Sequence, residues 1–121
     1  MTVQAIQLEG KDYVIVPRDE FDRFDRLRLL YDSSELPVLP EPDAKGRYPA
    51  VEYGRISLAR KIIRDRVSLG LLREDLARLA GIRMTTLSRI ESGTMTPSVA
   101  AIERIDAALK AADKKPRSKQ H

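Results

Sequence analysis

The sequence predicts a mainly α protein in which a β-hairpin and one amphipathic helix precede a small helical bundle. Three observations predict this. Apolar residues recur at three- and four-residue steps through most of the second half. β-branched and alternating runs are confined to the first 16 positions. Four of the seven prolines (Pro37, Pro40, Pro42 and Pro49) fall between these regions and divide them.

Taken in order, Val3–Leu8 (VQAIQL) alternates, Glu9–Asp12 is turn-rich, and Tyr13–Val16 (YVIV) is a short β-branched and aromatic strand. Together they predict a hairpin, which alone is marginal in water. Pro17 followed by Asp19 and Glu20 opens a helix favourably. Phe21, Phe24, Leu27, Leu30 and Tyr31 then give an amphipathic helix over Arg18–Tyr31. A hairpin and one helix make too little core to stand alone. Residues 1–32 are therefore expected to pair with a second copy or dock on a partner protein. Residues 33–51 read as a Pro-rich, semi-rigid linker.

A helical pattern resumes near Val51, with Ile56, Ala59, Ile63 and Val67 on one face, Ile62 and Leu69 beside it, and Gly70 as its cap. Arg73–Ala80 and Arg83–Ser92 are two short helices separated by Gly81 and closed by Gly93. Thr94–Pro97 is a loop and Ser98 a natural N-cap. Val99–Lys110 is the last helix, with Val99, Ile102, Ile105 and Leu109 as its buried stripe. The bundle spans residues 52–112. The basic tail 113–121, with Lys114, Lys115, Arg117 and Lys119, is expected to be disordered, fraying from Ala111 onward.

Composition excludes several functions. There is no cysteine, hence no disulfide framework, thiolate metal site or cysteine nucleophile. The single histidine is His121, so histidine base catalysis and histidine-rich zinc sites are not expected. No carboxylate pair sits in a recognisable catalytic frame and no glycine loop cradles phosphate. No enzyme, metal or cofactor is expected. No apolar run approaches the ~18 residues of a membrane span, and the N-terminus lacks a secretory pattern. A cytoplasmic location without membrane partners follows. Charge is uneven. Met1–Tyr53 holds 7 Lys/Arg and 11 Asp/Glu, a balance of −4, and Gly54–His121 holds 15 and 7, a balance of +8. A basic second half suggests polyanion binding.

The stretch Leu71–Gly93, LLREDLARLAGIRMTTLSRIESG, follows helix-turn-helix grammar: Ala77 permits close crossing, Gly81 supplies a tight turn, and a second helix follows. With Gly70, Glu74, Leu76, Ala80, Ile82, Thr86, Leu87, Ile90, Pro97 and Ser98 at fixed spacings, residues 56–111 resemble the XRE-like (Cro and phage-repressor) family. Leu72, Arg73 and Arg83 depart from that family's usual polar residues. The resemblance implies a domain that binds double-stranded DNA and dimerises over two half-sites. It puts Met84, Thr85, Ser88 and Arg89 at base edges, and Arg73, Arg83 and Thr86 toward phosphates. It also implies a structural salt bridge between Arg66 and Glu91. YVIVP followed by RDEFDRF is similar to the opening of some bacterial antitoxins. The expected function is a sequence-specific transcriptional repressor. The alternatives are an antitoxin binding a toxin through its N-terminal part, and a protein-interaction adapter that has lost DNA binding.

Overall fold

The computed structural model describes residues 4–114. β1 (Gln4–Leu8) and β2 (Lys11–Ile15) form a two-stranded antiparallel hairpin, with Leu8 opposite Lys11 and Ile6 opposite Tyr13. Its two-residue turn, Glu9-Gly10, has positive φ at both positions (50° and 78°), the primed geometry that matches strand twist. Two residues therefore suffice for the turn, and β2 starts at Lys11, earlier than the β-branched run. It also ends one residue before Val16. Val3, expected in the first strand, lies outside the described residues.

α1 (Arg18–Asp32) follows Pro17 and carries Asp19 and Glu20 in its first turn. It stops where the Ser33 and Ser34 hydroxyls donate to the carbonyls of Leu30 and Tyr31. None of its residues is buried, and Phe21, Phe24, Leu27 and Tyr31 stay exposed. Both strands are exposed as well.

Four helices form the bundle: α2 (Ala50–Ser68), α3 (Arg73–Ala80), α4 (Met84–Glu91) and α5 (Val99–Lys114). α3 packs on α4 and α5, and α2 packs on α4. The core is Ile62, Leu76, Ala77, Ala80, Leu87, Ile90, Ile105, Ala108 and Leu109. Ala77 and Ala80 are small enough for α3 to lie close to both neighbours. Leu79, on the opposite side of α3, faces solvent.

Helix ends without a polar cap residue are closed by nearby side-chain or backbone groups. Leu72 cannot cap α3, and Asp75 Oδ2 instead accepts the Leu72 N–H at 2.8 Å. Gly81 ends α3 in the left-handed region (φ 69°), and the Ile82 N–H reaches back to the Ala77 carbonyl at 3.0 Å. Gly93 has φ 76°, and a Cβ there would sit 2.9 Å from Ile56 Cγ1. The loop after α4 thus closes tightly on α2, and Arg55 Nε donates to the Gly93 carbonyl at 3.0 Å.

α5 differs from expectation at both ends. Ser98 Oγ accepts the Ala101 N–H at 3.1 Å. Val99 and Ile102 are nevertheless 73% and 38% exposed, and the buried stripe is Ile105, Ala108 and Leu109. The first turn of α5 buries none of its residues, although the apolar spacing continues through it. The helix also runs through Ala111 and Ala112 to Lys114, because alanine is the strongest helix former. Lys115, Arg117 and Lys119 of the expected tail lie outside the described residues.

The segment joining α1 to α2 does not stand free of the bundle. Its start is laid along α2: Arg60 Nη1 donates to the Pro37 carbonyl at 2.8 Å, and Arg66 Nη2 to the Ser33 carbonyl at 2.6 Å.

Candidate nucleic-acid interface

α4 is short and strongly sided. Leu87, Ile90 and Glu91 point into the bundle. Met84, Thr85 and Arg89 are exposed, and Thr86 and Ser88 are half-buried. Arg83 stands just before the helix as its N-cap, in extended backbone geometry, and Ser92 is its C-cap. Both were expected inside the helix. Arg83 is exposed there, beside the free N–H groups of the first turn.

The arginines of this surface divide into two kinds. The guanidinium groups of Arg83 and Arg89 make no ion pair or hydrogen bond among the described residues, so their donors face solvent. Arg73 is engaged: its Nε donates to Glu91 Oε1 at 2.9 Å. Glu91 is the hub of a three-residue network, since Arg66 also donates to it through Nε at 2.8 Å and Nη2 at 3.1 Å. The Arg66 side chain is 0% exposed and that of Glu91 1%, whereas Arg73 is 30% exposed. Arg66 further donates from Nη1 to the Leu71 carbonyl at 2.9 Å and to Ser33 Oγ at 3.1 Å. A forked guanidinium on a carboxylate is among the strongest side-chain hydrogen-bond geometries. Two cations share one anion, so the network keeps one positive charge in excess, on the half-exposed side of Arg73.

Arg73 thus has a structural role as well: it braces α3 against α4 through Glu91. The sequence offers no cue to this, because an arginine at the first position of a helix ordinarily points outward.

A second pair also escaped sequence reasoning. Arg26 of α1 donates to Asp75 Oδ2 at 2.7 Å and to the Gly70 carbonyl at 3.1 Å. Burial pushes the Asp75 carboxyl up, but the Leu72 N–H and the Arg26 and Arg78 guanidinium groups outweigh it and hold the group below the usual carboxylate range.

Residues 62–111 match the family described as helix-turn-helix, a family of DNA-binding domains of the XRE type. The match begins midway along α2 and takes in α3, α4 and most of α5. The protein therefore carries an XRE-like helix-turn-helix domain. No curated protein and no solved structure matches the chain significantly. Among the described residues no helix is long and apolar enough to cross a membrane.

Proposed function

We propose that this protein is a transcriptional repressor that binds a specific DNA duplex by inserting α4 into the major groove. One observation carries the reading: α4 holds its buried side against the bundle while Met84, Thr85 and Arg89 are exposed together, with Arg83 and Arg89 unpaired among the described residues. Arg89 reads guanine through its O6 and N7, worth about 1–3 kcal/mol of discrimination. Met84 and Thr85 pack on thymine methyls. Ser88 adds a hydroxyl at the base edge. Arg83 and the first-turn N–H groups of α4 bind phosphate, with Thr86 beside them, and Arg73 contributes its excess charge at the same surface.

One such domain binds weakly, so the active form is a homodimer whose N-terminal units pair. The exposed stripe of Phe21, Phe24 and Leu27 on α1, next to an unburied hairpin, supports this. The same stripe supports the second reading, an antitoxin that holds a toxin there and represses its own operon. The cytoplasm is the compartment either role requires.

The test is a titration of the full chain against the DNA upstream of its own gene. Binding should weaken steeply with salt. Arg83→Ala should weaken operator and scrambled duplexes alike, and Arg89→Ala should erase the difference between them. Absence of duplex binding at low salt would leave the interaction adapter as the better description. Co-purification with the product of a neighbouring gene, lost on N-terminal truncation, would establish the antitoxin reading.

A further inference from the structure

We propose that residues 32–38 form an acidic strap that occupies the DNA-facing side of the domain and must leave before a duplex can bind. The inference rests on the assignment of Arg73, Met84 and Ser88 to that side.

The strap's position is defined by hydrogen bonds. Its Ser33 carbonyl and hydroxyl accept from Arg66 at 2.6 and 3.1 Å, and its Pro37 carbonyl accepts from Arg60 at 2.8 Å. Upstream, α1 is tied to the bundle by Arg26, which donates to Asp75 and to the Gly70 carbonyl. So anchored, the strap forms one wall of a cleft of about 430 Å³. Asp32, Glu35 and Leu36 line it on the strap side, and Arg73, Ser88 and Ser92 on the side of α3 and α4. A second hollow puts Leu29 and Asp32 across from Arg73 and Met84. The strap therefore lies along the flank of α4 that carries Met84, Ser88 and Ser92.

Charge and size both make it a competitor of DNA. From Asp32 to Ala44 the chain holds Asp32, Glu35, Glu41 and Asp43 and no lysine or arginine. Of these, Asp32 and Glu35 share a cleft with the Arg73 side of a network that carries surplus positive charge, where a phosphate would otherwise go. A helix with its side chains is about 10–12 Å across and the major groove about 12 Å wide. α4 fills the groove, and a strap lying beside Met84 and Ser88 cannot enter with it. The strap is covalently attached, so weak contacts hold it at high effective concentration. None of its residues is buried, and Asp32 and Glu35 are exposed, so phosphates can displace it. Anything that pulls on α1, such as pairing or partner binding, then acts on DNA affinity through the Arg26–Asp75 tie.

The experiment uses the full chain and a fluorescein-labelled 30-bp duplex of mixed sequence at low salt, read by anisotropy. The double variant Asp32→Asn/Glu35→Gln should bind about three- to ten-fold more tightly than the parent. In parallel, Leu36→Cys places a lone thiol in a chain that has none, and its reaction with a disulfide reagent should speed up when saturating duplex is added. Binding by the double variant where the parent shows none supports the strap most strongly. Equal affinity of variant and parent, or a thiol no faster with duplex present, overturns it while leaving DNA binding intact. If neither protein binds duplex, the assignment of the surface fails, and the strap with it.

Discussion

Glu91 joins α2, α3 and α4 through one buried network. It is buried, and two arginines from two helices donate to it. Removing it leaves Arg66 buried without its counter-ion, which costs about 3–5 kcal/mol. Glu91→Ala should lower the urea midpoint by a corresponding amount. Arg73→Ala, at a partly exposed position, should cost about 1 kcal/mol. Equal losses in the two variants would mean that the network is not organised around Glu91. Asp75 gives a pH signature. Its folded pKa lies below the ordinary value of 3.8, so its contribution is present above that value and is lost as pH falls through the lower folded one. Asp75→Asn should be about 1 kcal/mol less stable at neutral pH, and the gap to the parent should close in acid. A gap unchanged down to pH 2 would contradict this role. At this scale the sequence was informative where a family pattern names a pair. Arg66 and Glu91 stand at fixed motif positions. Arg73–Glu91 and Arg26–Asp75 depend on where one arginine turns and on how a distant helix docks, and neither leaves a mark in spacing.

Elements were more legible than single residues. The periodic runs of α2, α3 and α4 and the turn at Gly81 follow from short-range rules, since each helix of the bundle has a neighbour against which its stripe is buried. The first turn of α5 shows the limit of the method. Val99 and Ile102 continue the three- and four-residue spacing of Ile105 and Leu109, yet both stay exposed. Period reports the face a helix would bury and says nothing of what is there to receive it. α1 makes the same point more strongly, because Phe21, Phe24, Leu27 and Tyr31 of its apolar stripe remain exposed. If that stripe is the pairing surface, the chain should sediment as a dimer at tens of micromolar. Phe21→Glu/Phe24→Glu should then sediment as a folded monomer with an unchanged helical spectrum. A parent that sediments as a monomer would leave the stripe to a different protein.

For the whole molecule, the division into an acidic and a basic half was visible in the sequence, but its arrangement was not. Composition alone gives two independent units on a tether. Instead the acidic segment folds back on the basic one at Arg60 and Arg66, and α1 is tied to α3 through Arg26. The fold thus ties the exposed apolar stripe of α1 to the helix-turn-helix domain. The most direct test of the proposed DNA surface is anisotropy of the parent and of Arg89→Ala on the DNA upstream of the gene and on a scrambled control, across a salt series. The parent should prefer the upstream duplex and lose affinity steeply with salt, and Arg89→Ala should bind both duplexes equally and weakly. Undiminished preference in Arg89→Ala would show that α4 does not read the bases through this residue.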